Sequence, residues 1–465
     1  MNMINVRRLA VMTFLGAGML SDISAQDFSL QADTLNEARL PAQWDLQSCI
    51  DYALEQNITI RKNRVTAEST QIDVKTAKAA LFPSLSFSTS QQVLNRPYQE
   101  TSSRVSGSEI ISSNSKTSYN GNYGLNASWT IYNGSKRLKT LKQERLNNQV
   151  AELDVATSEN TIKESIAQIY IQILYAAESV RVNENTLQVS IAQRDRGQEL
   201  LNAGSIAKSD FAQLEAQVST DRYQLVTAQA TLQDYKLQLK QLLELDGENE
   251  INVYLPKLSD ENVLAPLPAK KDVYVSALAI RPEIEASKLN VEASELGIDI
   301  AKSSYFPTIS LSAGIGTNHT SGSDFTFGEQ VKNGWNNSIG LSVSVPIFNN
   351  RQTKSAVQKA KLQRETNMLS LLDEQKALYK TIESLWLDAN SAQQRYAAAN
   401  EKLRSTQISY DLISEQFNLG MKNTVELLTE KNNLLQAQQE QLQAKYMAIL
   451  NTQLLKFYQG DKLTL

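Results

Sequence analysis

One histidine, one cysteine and nine prolines in 465 residues are small counts, and each scarcity excludes something. The single Cys49 rules out an intrachain disulfide. It lies in "WDLQSCIDYALEQN", on the apolar face of a short helix, where a small buried hydrophobe is expected. The single His319, in or beside a loop, reads as a surface residue and supports neither a metal site nor a catalytic triad. No metal or cofactor is expected. With 46 basic and 50 acidic residues the net charge is −4, which gives no polyanion-binding surface and argues against nucleic acid as a partner. Proline is missing between Pro97 and Pro256 and again after Pro346. Long tracts of Ala, Leu, Gln, Lys and Glu are thereby free to run as unbroken helix.

What is present begins with a leader. Arg7 and Arg8 precede an apolar run from Leu9 to Leu20, and small residues follow to Ala25. This predicts a signal peptide over 1–25 and export of the chain. The apolar run is too short for a transmembrane helix. No cysteine directly follows the cleavage region, so an N-terminal lipid anchor is not expected.

The rest of the sequence repeats itself. "AKAALFPSLSFSTS" (77–90) aligns with "AKSSYFPTISLSAG" (301–314), pairing Pro83 with Pro307. "LNASWTIYNGSKRLKTLKQ" (125–143) aligns with "LSVSVPIFNNRQTKSAVQK" (341–359). "NAGSIAKSDF" (202–211) aligns with "NLGMKNTVEL" (418–427), pairing Gly204 with Gly420. Three blocks in one order at offsets of 224, 216 and 216 mark a tandem duplication. After a linker at 26–44, the first repeat covers 45–250. A second linker covers 251–270, and the second repeat covers 271–465.

Each repeat reads as helix, strand, strand, very long helix, turn, helix. Ile339, Leu341, Val343, Val345 and Ile347 alternate with small residues and Pro346, and Tyr123, Leu125, Ala127, Trp129 and Ile131 do likewise. Strands are expected at about 84–94, 122–132, 308–317 and 337–347. All are charge-free and near the length a tilted strand needs to cross a bilayer. Polar loops at 95–118 and 318–336 join the strand pairs. Long helices are expected at about 135–203 and 351–419, each about 100 Å long. Shorter helices are expected at about 207–245 and 423–459. Leu378, Ile382, Leu385, Ala389, Ala392, Tyr396, Ala399 and Leu403 step by four and three, and Phe211, Val218, Leu225, Leu232 and Leu239 by seven. Such lanes require helices packed along their length.

The fold class is therefore mainly α with a small membrane β part. Four strands cannot close a barrel, and open edges in lipid are costly. The chain must oligomerise, and a trimer supplies twelve strands. Helices leaving the strands then hang below the barrel as a tunnel.

The duplicated "FPS" and "FPT" helix-to-strand junctions, the "WTIYNG" and "VPIFNN" strand-to-helix junctions and the two glycine turns resemble the TolC-type outer-membrane efflux protein family. The resemblance runs from "WDLQSCIDYALEQN" to "QLLKFYQG". It implies a non-enzymatic homotrimer in outer-membrane lipid, with a shared barrel and a periplasmic helical tunnel. It also implies two partners, a periplasmic adaptor and an inner-membrane transporter, for efflux or type I secretion.

Glycine at a helix C′ position is explained by local structure alone. The resemblance adds that the Gly204 and Gly420 turns meet the adaptor. Asn423 and Glu426 have capping-box spacing. The resemblance also implies a gate beside the turns: Phe417 where the family has tyrosine, Lys422 as the basic residue, Asp210 as an acidic partner, and Glu426 as an inner acidic ring. Thr429 occupies a second ring position without a carboxylate. An exposed Lys422–Asp210 pair is worth about 1 kcal/mol or less, and these residues read equally as solvated helix charges. Trp129, Tyr132 and Phe348 fit an aromatic belt at the membrane interface.

Two rival readings differ in class. A periplasmic coiled-coil adaptor or tether accounts for the heptads but not for four charge-free strands. An exported enzyme lacks a constellation of catalytic residues near any pocket.

Overall fold

A computed structural model of the chain describes residues 41–98, 102–106, 109–113, 116–246, 251–256, 263–321, 323 and 325–464. The expected signal peptide and most of the 26–44 linker lie outside them. Described residues up to Trp44 and Asn252–Tyr254 belong to a small separate unit. Its backbone is tied by Trp44 N–H to the Asn252 carbonyl at 2.8 Å and Tyr254 N–H to the Trp44 carbonyl at 2.7 Å.

The larger unit carries the duplication. Its first half contains α1 (Leu46–Gln56), α2 (Ile58–Ala79), β1 (Ser84–Asn95), β2 (Ser102–Ser106), β3 (Glu109–Ser113), β4 (Thr117–Asn133), α3 (Lys136–Asn202) and α4 (Lys208–Leu242). The second contains α5 (Lys270–Ile280), α6 (Pro282–Ser303), β5 (Thr308–Thr320), α7 (Phe327–Asn333), β6 (Asn336–Ser344), α8 (Gln352–Asn418) and α9 (Thr424–Gln459). The bounds of α1 and α2 recur in α5 and α6 at an offset of 224, and those of α3 recur in α8 at 216. At 67 residues each, α3 and α8 are about 100 Å long.

The four long strands form one antiparallel sheet in the order β1-β4-β5-β6. Its register sorts the side chains. Leu85, Phe87, Leu125, Ala127, Leu311, Ala313, Leu341 and Ile339 fall on one face, through pairs such as Phe87–Leu125, Leu125–Ile315 and Leu311–Leu341. The opposite face holds Ser84, Ser86, Ser128, Ser310, Ser312, Ser338 and Ser342 with Gly124, Gly314 and Gly340. The apolar face is solvent-exposed at Leu85, Phe87, Ile339, Leu341 and Val343. That leaves a large hydrophobic surface that nothing among the described residues covers.

Three strand expectations need adjustment. β6 ends at Ser344 rather than at residue 347, because Pro346 has no N–H to donate to the ladder. A bulge between Thr130 and Tyr132 interrupts the alternation, so Tyr132 pairs with Ile309 and Ile131 is the extra residue. The polar connections are not plain loops. The first holds the β2–β3 ribbon, and the second holds α7, which starts with a Thr326–Glu329 capping box.

The shorter helices join end to end in both repeats, with different chemistry at each joint. Asn57 is buried between α4 and α2. Its Oδ1 accepts from Thr59 N–H at 2.9 Å, capping α2, while its Nδ2 donates to the Leu242 carbonyl of α4 at 3.0 Å. Arg281 precedes α6 at the equivalent position. Its guanidinium lies 3.6 Å from the Tyr458 ring centroid and 5.1 Å from that of Phe457, both on α9. It also donates to Glu164 of α3 at 2.7 Å.

Candidate functional site

The sequence places the site where the long helices reverse. At α3–α4, Gly204 N–H bonds the Leu201 carbonyl at 2.9 Å and Ser205 N–H the Leu200 carbonyl at 2.8 Å. At α8–α9, Gly420 N–H bonds the Phe417 carbonyl at 2.9 Å and Met421 N–H the Gln416 carbonyl at 2.9 Å. This is one Schellman motif built twice, with the glycine in the left-handed region that closes it. Both glycines are exposed at the turn surface.

The next helix starts as the spacing predicts. Asn423 Oδ1 accepts from Glu426 N–H at 2.9 Å, and Glu426 Oε2 accepts from Asn423 N–H at 3.2 Å. Lys422 Nζ lies 2.6 Å from Glu426 Oε1. That bond, then the Asn423 amide, holds the Glu426 carboxyl below its ordinary value. Asp210 instead turns to its own helix start and accepts from Ala207 N–H at 3.4 Å. Within the chain, then, Lys422 is paired with Glu426 rather than with Asp210. Thr429 is exposed and donates to the Val425 carbonyl at 2.8 Å.

Phe417 is buried against Leu214 of α4 and Leu427 of α9, with Leu200, Tyr410 and Leu428 packed around them. It therefore joins the α8–α9 hairpin to the α3–α4 hairpin by apolar contact. Two helical turns back along α8, Gln193 Nε2 donates to Tyr410 Oη at 2.9 Å, again linking the repeats.

Sequence reasoning missed the most buried ionic group near these turns. Ser190 of α3, Asp221 of α4 and Lys431 of α9 are 2%, 1% and 3% exposed. Lys431 Nζ donates to Asp221 Oδ2 and to Ser190 Oγ, and Ser190 Oγ donates to the same carboxylate oxygen. Gln217 Nε2 occupies Asp221 Oδ1 at 2.9 Å. Burial pushes the Lys431 ammonium below its ordinary value, and Asp221 opposes that shift. A signal existed: Asp221 stands seven residues after Leu214 and seven before Ala228, in a lane where an apolar residue belongs.

At the strand end, Trp129 Nε1 donates to the Leu81 carbonyl at 2.8 Å, and Trp129 and Tyr132 are each 38% exposed. Phe348 follows β6 and is almost fully exposed. His319 is not the surface residue expected from its loop-like surroundings. It lies on β5, half-buried, stacked on Tyr123 at 5.8 Å and edge-on to Phe327 of α7 at 5.0 Å.

Residues 49–244 and 273–460, most of both repeats, match the family described as outer membrane efflux protein. Outer membrane efflux protein BepC of Brucella suis biovar 1 (strain 1330) is 26% identical over 294 residues, 63% of this chain and 61% of BepC. Outer membrane protein TolC of Escherichia coli (strain K12) is 24% identical over 341 residues, 70% of this chain and 66% of TolC. The aligned part of the chain thus spans somewhat under two thirds of the length of these two relatives. Among solved structures, CusC superposes with a TM-score of 0.76 at 19% identity, covering 90% of this chain and 92% of CusC. VceC from Vibrio cholerae gives 0.73 at 16%, covering 90% and 97%. The duplicated fold, the charge-free sheet and the family match agree: the chain belongs to the outer membrane efflux protein family.

Proposed function

We propose that the chain is the outer-membrane exit duct of a tripartite efflux or type I secretion system. It passively carries cargo from an inner-membrane transporter and a periplasmic adaptor to the outside. The observation that carries this reading is the sheet. Among the described residues, one face is apolar and uncovered, the other is mostly serine and glycine, and β1 and β6 each have an unpaired edge. Such a sheet is stable in lipid only when its edges are paired and its apolar face meets acyl chains. Three copies joined edge to edge make a twelve-stranded barrel with a serine-rich lumen. α3 and α8 then extend about 100 Å into the periplasm.

In this reading the Gly204 and Gly420 turns form the adaptor-facing rim, six per trimer. The entrance narrows beside them, at Phe417, Lys422, Asp210, Glu426 and Thr429. Glu426 from three copies gives an electronegative ring that favours cations. Trp129, Tyr132 and Phe348 anchor the barrel at the lipid interface. Cargo choice belongs to the transporter. The periplasmic tether reading leaves the apolar sheet face unexplained.

Membrane fractionation with unheated gel electrophoresis tests the reading. An outer-membrane, detergent-soluble oligomer that dissociates on heating and forms channels in planar bilayers is expected. A soluble monomer overturns it.

A further inference from the structure

Charge is unevenly spread along the helices. Residues 71–82, 134–145, 295–306 and 350–361, where α2, α3, α6 and α8 meet the sheet, hold twelve Lys and Arg against four Asp and Glu. The turns at the far end, 200–211 and 416–427, hold two of each sign. Over the whole chain acidic residues outnumber basic ones, 50 to 46, so the basic excess is local. Helix stability does not explain it. α3 and α8 have no acidic residue in the first turn, where the helix dipole favours one, and carry Lys136, Arg137 and Lys354 there instead.

Few of these charges are satisfied within the chain. Lys302 pairs with Asp299 at 3.2 Å, and Arg137 and Lys139 donate to backbone carbonyls. Lys75, Lys78, Lys142, Arg145, Lys354 and Lys361 are exposed and, among the described residues, have no ion-pair partner. These six share one side of the helical layer. On α3, Lys139 and Gln143 reach carbonyls of α6, while Asn148 meets Thr70 of α2. With about 3.6 residues per turn, Lys142 and Arg145 fall between those contacts beside the exposed Leu138, and the half-buried Glu144 and Asn147 fall opposite. Strand order and the right-handed turn of the helix put the Leu138 side in line with the apolar sheet face. Thr70 of α2 and Arg364 of α8, which meets Glu295 of α6, place the other four lysines on the same side.

Along the molecule the order is therefore apolar sheet face, aromatic residues, basic residues. Phe82, Tyr305, Phe306 and Phe348 stand exposed at the strand ends. The six basic side chains follow within about 20 Å. A bilayer presents its parts in the same order, as acyl chains, interface and headgroup phosphates. Lysine and arginine stems reach back along an apolar surface toward such a boundary, and at physiological salt the attraction extends about 8 Å beyond contact.

We propose that these six residues form a basic band that binds the anionic phospholipid headgroups of the leaflet from which the helices emerge. In the duct reading, on which this rests, that is the inner leaflet of the outer membrane. The band sets the depth of the sheet and holds the helices upright against the leaflet. Its partner is a surface of many headgroups rather than one enclosed lipid, because the six side chains are spread over three helices.

The test uses the oligomer extracted from outer membranes into neutral detergent. Bound lipid is counted by native mass spectrometry after titration with phosphatidylglycerol or phosphatidylcholine. The native oligomer is expected to retain several-fold more phosphatidylglycerol at low salt, and that preference to shrink about threefold in about 0.5 M salt. Lys142→Gln with Arg145→Gln, or Lys354→Gln with Lys361→Gln, is expected to halve the preference, and all four together to lower it further. Lys376→Gln with Lys380→Gln, farther down α8 and equal in charge, is expected to leave it unchanged. Equal retention of both lipids, a preference that survives salt, or an equal loss in the Lys376 and Lys380 variant overturns the band. Displacement of the lipid by millimolar glycerol phosphate assigns the site to a soluble anion and also overturns it. If the multiple variants do not assemble, the salt dependence of the native oligomer decides. A soluble monomer that retains neither lipid overturns the duct reading itself.

Discussion

Gly204 and Gly420, 216 positions apart, hold the same backbone, with φ at +76° and +75°. Among the described residues, neither has an atom within 4 Å of where a Cβ would stand. Substitution therefore meets no steric obstacle beyond the backbone itself. Alanine at either site is expected to cost about 1–2 kcal/mol, the left-handed penalty. Asparagine, which tolerates that region, is expected to cost less. Thermal unfolding followed by circular dichroism checks this, and equal losses for Asn and Ala would refute a backbone origin.

The two faces of the sheet make a second prediction. Leu341 and Ser342 are neighbours on β6, yet Leu341 pairs with Leu311 on the apolar face and Ser342 with Ser310 on the polar face. Leu341→Arg puts a charge where acyl chains are expected, a cost of about 2–4 kcal/mol near the bilayer midplane. Ser342→Arg stands on the polar face, which the duct reading turns to the lumen. Outer-membrane oligomer yield is expected to fall sharply for the first and little for the second. Equal yields would remove the assignment of faces.

The sheet faces, the helix lengths and the turns were all legible in the sequence because each rests on local rules. Period-two alternation marks the strands, proline-free heptads mark α3 and α8, and a glycine followed by Asn423-x-x-Glu426 marks a helix end and the next start. The buried Ser190–Asp221–Lys431 group was legible only through Asp221, which interrupts an apolar lane. Lys431 reads as a solvated charge on an amphipathic helix, and Asp221, its partner, is 210 residues away. Only packing of the two repeats brings them together. Phe417 was legible as a departure from the family's tyrosine, but its burial against Leu214 depends on the same packing. In the second loop, α7 has seven residues, too few to display a helical period, though its Thr326–Glu329 box is visible.

Glu426 yields a pH prediction. Its folded carboxyl holds its proton less tightly than an ordinary glutamate, because Lys422 and the Asn423 amide favour the anion. The contribution to the turn is thus fully present above the ordinary value of 4.5 and is lost as pH falls through the lower folded value. Cation selectivity of the channel is expected to stay flat from neutral pH down to that value and to fall below it. Glu426→Ala is expected to lower selectivity above that value and to match the native channel below it. A decline that begins near neutral pH would point to another group.

The two helix joints separate hydrogen bonding from ion pairing at equivalent positions. Asn57 uses its amide both ways, accepting from Thr59 and donating to Leu242. Asn57→Asp keeps the acceptor but sets a buried carboxylate beside the Leu242 carbonyl. It is expected to destabilise more than Asn57→Ala, which costs about 1–2 kcal/mol as a lost cap. Arg281 faces Glu164, whose carboxyl burial already pushes up despite the guanidinium. Arg281→Met leaves that carboxylate buried without its cation and is expected to cost about 3–5 kcal/mol near neutral pH. The folded carboxyl then binds its proton more tightly than the unfolded one, so part of the loss is recovered as pH falls through the raised folded value. Arg281→Lys keeps the charge but loses the flat stack on Tyr458, and it is expected to fall between native and Arg281→Met. Thermal unfolding of the three Arg281 variants at neutral and acidic pH reads this order. An Arg281→Met protein equally destabilised at both pH values would show that packing, rather than the Glu164 charge, sets the strength of the joint.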